Sequence, residues 1–243
     1  MTSAMGVLLL LAGTTEGLDP QEVLRRADPG RFSQQPFRAL LRLGQSEGAP
    51  EAHEIEVWHA GEDSTLVRFL GEKQRGKFLL RRAGEMWLIS PRTKRPTRLS
   101  PAFRLYGGAT LDEIVGRSHV LAYAVAELHE EEGPQGAELA LDLRARDDKA
   151  ILPRARLVVG RADLRPLRAE YALRSGKPAT AVAFEQWDGK RPRRFVVRDL
   201  LHVKASVIVD VVEIEERAVP AALFDLEDGT ARDRLPAVPP RSP

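Results

Sequence analysis

Short runs in which apolar and polar residues alternate recur along most of this chain. Successive side chains of a β-strand point to opposite faces, so an alternation of period two predicts strands with one apolar and one solvated face. Turn-forming residues separate the runs at intervals of about ten residues, as in antiparallel strands joined by short loops. The apolar members include Phe37, Ala39, Leu41, Leu43, Ile55, Val57, Val67, Phe69, Leu139, Leu141, Leu143, Tyr171 and Leu173. We predict a mainly β fold with a single curled antiparallel sheet, or incomplete β-barrel.

Two local signals define further elements. Asp19 followed by Pro20 and Glu22 is typical of a helix N-terminus, and it predicts an N-terminal helix that ends near Ala27. Asp188-Gly189 lies between two strand-like runs and predicts a tight hairpin.

Composition limits the classes of protein to which the chain can belong. A length of 243 residues fits one all-β domain, and a formal net charge of +2 is too small to indicate nucleic-acid binding. The absence of cysteine excludes disulfides, thiolate metal sites and a cysteine nucleophile. It also excludes a lipid-modified cysteine, so the chain is not itself a lipoprotein.

The two ends of the chain differ from the strand region. The start, MTSAMGVLLLLAG, contains an apolar stretch that is too short to span a bilayer but fits the core of a signal peptide. The alternative is an apolar tail on a cytosolic protein. The end, LPAVPPRSP, is rich in proline. We predict a signal peptide over 1–17, one domain over 18–228 and a disordered tail over 229–243.

Enzymatic signatures are weak. The histidines are scattered, and His129 followed by three glutamates is more simply a solvated turn than a cation site. Ser175-Gly176-Lys177 lacks the upstream glycine of a phosphate-binding loop. We therefore predict no catalytic residues, no metal and no cofactor.

One apolar segment, from Phe103 to Val115, interrupts the alternation. Thr110 and Glu113 have the spacing of a capping box, which predicts a short helix from Leu111. Its apolar residues are too many for a solvated loop, and Gly107-Gly108 provides a flexible joint.

A series of short motifs occupies the stretch from Arg75 to Ile114. Its residues are Arg75-Gly76-Lys77, Leu79-Leu80, Trp87-Leu88, Pro91, Arg95-Pro96, Arg98-Leu99-Ser100, Arg104-Leu105, Gly107, Thr110 and Glu113-Ile114. This series resembles the periplasmic LolA-like outer-membrane lipoprotein-sorting proteins, whose pattern is a strand of the form rGk-LL, a W-L-x-x-P strand, an RP-x-R-[IL]-S turn and a lid segment. Looser similarity extends from Asp19 to Leu226. The family's lid usually has Asp where this chain has Gly108, and Gly where it has Asp112.

This resemblance implies a curled sheet whose apolar cavity receives lipid acyl chains beneath a helical lid. The implied cavity residues are Phe37, Leu41, Ile55, Val57, Val67, Phe69, Trp87, Leu139 and Leu141. The predicted lid residues are Phe103, Leu105, Tyr106, Leu111, Ile114 and Val115. From the alternation alone, the strand residues are equally compatible with a dry core.

A basic run between Arg92 and Arg98 is the best polar patch. We predict that Lys94, Arg95 and Arg98 contact lipid head groups or an acidic partner, the alternative being an ordinary solvated hairpin tip.

Two functions follow from this interpretation. The first is a monomeric periplasmic carrier or chaperone that moves acyl chains of lipoproteins or lipids towards the outer membrane, with an inner-membrane transporter and an outer-membrane acceptor as partners. The second is a non-enzymatic accessory or sensing module of an envelope transporter complex, without its own cargo. A large open apolar cavity would favour the carrier, whereas a cavity plugged by Trp and Phe side chains would favour the accessory module.

Overall fold

The computed structural model of the chain describes residues 17–28, 32–33, 35–45, 52–61, 64–91, 93, 95–100, 102–116, 118–134, 136–148, 150–189, 191–202 and 206–238. The predicted signal peptide, apart from Gly17, lies outside these residues, as does Lys94. Among the described residues, no helix is long and apolar enough to cross a membrane.

An N-terminal helix, α1 (Pro20–Ala27), forms as the sequence predicts. The Asp19 carboxylate accepts a hydrogen bond from the Gln21 backbone N–H, and Pro20 occupies the first turn, where no N–H is needed. The buried side of α1 consists of Val23, Leu24 and Ala27.

Within the described residues, thirteen strands form one antiparallel sheet, which confirms the predicted fold class. They are β1 (Phe37–Gln45), β2 (His53–His59), β3 (Ser64–Phe69), β4 (Phe78–Arg82), β5 (Glu85–Ile89), β6 (Thr97–Leu99), β9 (Tyr123–Gly133), β10 (Gly136–Ala145), β11 (Arg154–Gly160), β12 (Pro166–Ala172), β13 (Pro178–Asp188), β14 (Arg191–Asp199) and β15 (Ser206–Glu216). A separate two-stranded hairpin consists of β7 (Arg104–Tyr106) and β8 (Ala109–Thr110).

The strand order is β6-β5-β4-β3-β2-β1-β15-β14-β13-β12-β11-β10-β9. Strand β1 joins two halves of the sheet, one made of β2 to β6 and the other of β9 to β15. Its Phe37 is paired with His59 of β2 on one side and with Glu216 of β15 on the other. Strands β6 and β9 are the two edges and do not pair, so the described strands form an open sheet and not a closed barrel.

The hairpin predicted at Asp188-Gly189 joins β13 to β14. Asp188 is paired with Arg191, and Gly189 has a φ of +59°, a left-handed conformation that suits glycine. The two-residue turn therefore begins at Gly189, one residue later than the predicted dipeptide.

The sheet buries apolar side chains on both of its faces. We call the side that carries Leu41, Val57 and Leu79 the inner face, and the opposite side, with Trp58 and Leu80, the outer face. The inner face belongs to the larger core cluster and is covered by α1 and by the short helices α2 (Leu111–Val115) and α3 (His119–Ala122).

A C-terminal segment covers part of the outer face. It contains two short helices, a 3₁₀ turn over Ala221–Phe224 and α4 (Thr230–Asp233), and it packs Leu223 and Phe224 against Trp58, Leu66 and Leu80. The expectation of a disordered tail from residue 229 is therefore wrong for 229–238, while 239–243 lie outside the described residues.

Charged residues on the outer face hold this segment in place. The fully buried Glu56 carboxylate forms ion pairs with Arg38 at 2.7 Å and Arg68 at 2.5 Å. Arg68 in turn donates to the carbonyls of Leu235 and Pro236, at 3.3 and 2.9 Å. A buried carboxylate needs such partners because its desolvation is costly.

Candidate functional site

The inner face contains most of the residues predicted to line a lipid cavity. Seven of them belong to one core cluster and are at most 2% exposed: Phe37, Leu41, Ile55, Val57, Val67, Leu139 and Leu141. Phe69 is half-buried against the same cluster. All eight side chains pack against other side chains in this structure, as core residues do.

Trp87 does not belong to this face. It is paired with Leu80 across β4 and β5, and both pack in the outer-face cluster. Its assignment to the cavity is therefore wrong. Because alternate residues of a strand point to opposite sides, its neighbour Met86 lies in the inner-face cluster instead.

A chain of aromatic rings lies in the inner-face cluster and connects β1, β14 and β13. Phe32 stacks on Phe37 at 5.6 Å between ring centroids and meets Phe195 edge-on at 6.2 Å. Phe195 then contacts Phe184, and Phe184 contacts Trp187, both at 6.1 Å. The sequence analysis missed these partners of Phe37.

Helix α2 covers the inner face as the apolar part of the predicted lid. Leu111, Ile114 and Val115 are between 0 and 3% exposed. The predicted capping box is present: the Glu113 carboxylate accepts from the Thr110 N–H at 2.7 Å, and the Thr110 hydroxyl accepts from the Glu113 N–H at 3.4 Å.

Two polar contacts attach α2 to opposite halves of the sheet. The second oxygen of Glu113 accepts a hydrogen bond from the Thr180 hydroxyl of β13 at 2.6 Å. Asp112 forms an ion pair with Arg81 of β4. The helix therefore crosses from the β4 side to the β13 side, and it must lose at least one of these contacts to move.

The β7–β8 hairpin carries the rest of the predicted lid. Arg104 forms an ion pair with the buried Asp199 at 2.7 Å, and Tyr106 packs edge-on against His53 at 4.5 Å. Leu105 and Tyr106 are half-buried against the core, whereas Phe103 is exposed. Gly107 has no room for a side chain, since a Cβ there would lie 2.6 Å from Val207 Cγ2.

A buried polar chain connects α1, α3 and β12. The Asp28 carboxylate accepts hydrogen bonds from the Ser118 hydroxyl at 2.5 Å and the His119 N–H at 2.6 Å. The His119 ring lies between Asp28 at 3.1 Å and the Tyr171 hydroxyl at 2.8 Å. Burial works to raise the pKa of Asp28, but hydrogen bonds from His119 and Ser118 and the charge of His119 outweigh it and lower the pKa below 3.8.

A cavity of about 480 Å³ opens where these covering elements meet the sheet. Its volume falls within the range of about 300–1,000 Å³ that is typical of small-ligand sites. Apolar lining comes from Phe32, Phe37, Val115, Val120, Leu121, Ala122, Tyr123, Ala145 and Ala150, and polar lining includes Arg25, Asp28, His59, Arg81, Arg146 and Asp147. Of the predicted site residues that are described, Phe37 and Val115 line it.

His59 lines the cavity, with Phe37 and Arg81 as neighbours. Its ring stacks on Phe37 at 4.9 Å, and its Nδ1 lies 3.0 Å from the Thr65 hydroxyl. Burial, reinforced by the positive charge of Arg81, lowers the pKa of His59 to about 4. The ring is therefore neutral at physiological pH.

The predicted head-group patch is not part of this cavity. Arg98 lies on the edge strand β6, where it is paired with Trp87 and forms an ion pair with Glu85, and Arg95 is exposed in the preceding turn. Lys94 lies outside the described residues.

A cluster of three polar side chains lies on the edge strand β9 and its neighbour β10. His129 Nε2 is 3.1 Å from a Glu127 oxygen and 3.2 Å from an Asp142 oxygen, an arrangement that could hold a metal ion. The residues that meet His129 are thus Glu127 and Asp142, rather than the glutamates that follow it in sequence.

Comparisons with known proteins identify the fold. A family model described as "Uncharacterized protein" matches residues 61–228, and no curated protein sequence matches at a significant level. A solved LolA superfamily protein from Nitrosomonas europaea is 24% identical with a TM-score of 0.75, and the alignment covers 86% of this chain and 98% of that one.

Two further solved structures have the same fold. One is a domain from Vibrio parahaemolyticus, provisionally assigned as an outer membrane lipoprotein-sorting protein, with 16% identity, a TM-score of 0.67 and coverage of 84% and 95%. The other is a DUF1329 family protein from Desulfovibrio piger, with 17% identity, a TM-score of 0.65 and coverage of 85% and 95%. The chain belongs to the family whose model spans residues 61–228, and its fold is that of the LolA superfamily.

Proposed function

We propose that this protein is a non-enzymatic carrier that shelters acyl chains of lipids or lipoproteins between its sheet and helix α2. The observation that carries the proposal is the way in which helix α2 covers the inner face. A continuous apolar inner face lies beneath a five-residue helix that is attached by the Glu113–Thr180 and Asp112–Arg81 contacts.

The energetics of acyl burial are compatible with such a role. Each buried CH₂ contributes about 0.8 kcal/mol, so an apolar site binds a long chain without catalysis or cofactor. The cavity beside Val115 is an entry point, and displacement of α2 would join it to the inner face under Leu111 and Ile114.

We further propose that the protein acts in the periplasm, as a monomer, and receives cargo from an inner-membrane component and passes it to an outer-membrane one. The apolar run near the N-terminus supports export. The assignment of the Vibrio parahaemolyticus domain to outer membrane lipoprotein sorting supports this direction of transport. Fractionation should find the protein in the cell envelope, without residues 1–17.

Native mass spectrometry of protein isolated from the cell envelope without detergent tests the carrier function. We expect a population with additional mass that collisional activation releases as lipid or acylated peptide. Protein that carries no such mass, and that also fails to take up a fluorescent acyl probe in vitro, would contradict the proposal.

The accessory or sensing module is the second candidate, and the aromatic chain from Phe32 to Trp187 favours it. These rings occupy part of the face that cargo would use. Phe195→Ala separates the two functions. A carrier in which this change opens space on the inner face should take up the acyl probe at least as well as the wild type, whereas a plugged module should fail to bind it in either form.

A further inference from the structure

The cavity beside Val115 is lined by two chemically different kinds of residue. Phe32, Phe37 and Val115 contribute apolar side chains, and Arg25, Arg81 and Arg146 contribute three arginines. A hydrocarbon alone would make no use of the arginines. A ligand that matches both kinds of residue is an amphiphile whose polar end reaches the arginines.

The arginines are held in place from outside the cavity. Glu22 pairs with Arg25 and Asp112 pairs with Arg81, but neither carboxylate lines the cavity. Arg146 donates from its backbone N–H to the Ala122 carbonyl at 2.9 Å and from Nε to the Val120 carbonyl at 3.3 Å. These carbonyls fix Arg146 without neutralising its charge.

Among the described lining residues there are two acids, Asp28 and Asp147, beside the three arginines. The Asp28 side chain is 3% exposed, and its oxygens accept from Ser118, His119 and Val120. The described lining thus contains one more arginine than acid, and donors already occupy the Asp28 carboxylate.

The lowered pKa of His59 agrees with positive charge beside the cavity. Burial is the larger cause of its lowered pKa, and the charge of Arg81 adds to it. Guanidinium groups also have the planar, forked geometry that suits the oxygens of carboxylates and phosphates.

We propose that this cavity selects amphiphiles with an anionic head, a carboxylate or a phosphate, which Arg146 and Arg81 bind while the acyl chain runs past Phe37 and Val115. The inference rests on the proposed carrier function and specifies the class of its cargo. A neutral head of the same size would make no charge-assisted hydrogen bond between two ions with these arginines.

A matched pair of ligands tests it. The affinities of a fluorescent long-chain fatty acid and of its methyl ester are measured at neutral pH for the wild type and for Arg146→Gln. A hydrogen bond to a charged group contributes enough for about a tenfold difference, so the acid should bind about tenfold more tightly than the ester. Arg146→Gln should remove this preference and leave the affinity for the ester unchanged.

Arg174→Gln is the control, because Arg174 bonds the Asp148 carbonyl in the adjacent loop without lining the cavity. This variant should keep the full preference for the acid. Circular dichroism must show that Arg146→Gln is folded. Arg25→Gln serves as a second cavity variant that should weaken the preference.

The other outcomes are distinct. Equal affinities for acid and ester in the wild type would overturn the anionic selectivity and leave the carrier function standing. Failure of both ligands to bind would overturn both proposals. Inorganic phosphate is a further probe: displacement of the acid by millimolar phosphate, without any effect of phosphate on the bound ester, is expected. If acid and ester bind equally well but phosphate binding requires Arg146, the cavity holds an anion site unrelated to lipid. That outcome would also overturn the inference.

Discussion

The hydroxyl of Thr180 donates a 2.6 Å hydrogen bond to the carboxylate of Glu113, and this contact fastens helix α2 to strand β13. Both side chains are buried. On the opposite side of the helix, Asp112 pairs with Arg81 of β4, so α2 connects the two halves of the open sheet across the inner face.

Thr180→Val should therefore weaken the attachment of α2 without changing the size of the side chain. The Glu113 carboxylate loses a donor in a buried setting, which costs about 1–3 kcal/mol. Urea unfolding measures the loss. Glu72→Gln, at an exposed position, is the control and should lie within about 0.5 kcal/mol of the wild type. A Thr180→Val protein as stable as this control would mean that the contact does not hold α2.

Leu111→Ser with Ile114→Ser tests whether the lid is mobile. If α2 leaves the inner face to admit an acyl chain, the double variant should bind the acyl probe more weakly and lose only modest stability. A static plug behaves differently, because burying two hydroxyls in place of the present core contacts would cost several kcal/mol. Unfolding of the variant, or unchanged binding of the probe, contradicts a mobile lid.

Protonation of His59 should destabilise the fold in mild acid. The pKa is about 4 in the folded protein and 6.5 in the unfolded chain, so the unfolded chain binds more protons between these values. Stability is therefore complete above pH 6.5 and falls as the pH drops towards 4, by on the order of 3 kcal/mol. His59→Gln should flatten this part of the profile, as followed by urea midpoints. An unchanged slope in His59→Gln would show that another group is responsible.

Asp28 should affect the stability of the fold at lower pH than His59 does. Its pKa in the folded protein lies below 3.8, so its contribution is present above that value and is lost as the pH falls through the folded pKa. Asp28→Asn should lower stability at neutral pH and lose less on further acidification than the wild type. The comparison is with Asp148→Asn, an exposed change that should keep the acid-dependent loss. Identical profiles for the two variants would argue against the Asp28–His119 connection.

Much of this fold could be predicted from local sequence signals. Asp19 and Pro20 define the start of α1, and Thr110 with Glu113 defines α2, because capping depends on residues within one turn. Alternation assigns the faces of β1 and β10 correctly. It does not determine which strands pair, so the junction between β1 and β15 was not predictable from the pattern.

The misassignments have a common physical cause. Met86-Trp87-Leu88-Ile89 is apolar throughout, so the period-two pattern cannot indicate which face Trp87 occupies. Such a strand has apolar residues on both faces, and the outer apolar surface is what orders Leu223 and Phe224 in the C-terminal segment. The lining of the cavity could not be predicted from the sequence either, because Arg25, Arg81 and Arg146 are far apart in the chain and come together only in the folded protein.

Locking α2 to β4 tests the central claim most directly. The chain has no cysteine, so Asp112→Cys with Arg81→Cys introduces the two reactive thiols at side chains that are in contact. A short bifunctional reagent that forms reducible disulfides would join them. Uptake of the fluorescent fatty-acid methyl ester, whose neutral head does not require Arg81, is then measured before cross-linking, after it, and after reduction.

We predict that the unlinked variant takes up the probe, that cross-linking reduces uptake at least tenfold, and that reduction restores it. Single-cysteine variants treated with the same reagent control for modification alone. Equal uptake by the locked and unlocked forms would contradict the account, because the acyl chain would then enter without any movement of α2.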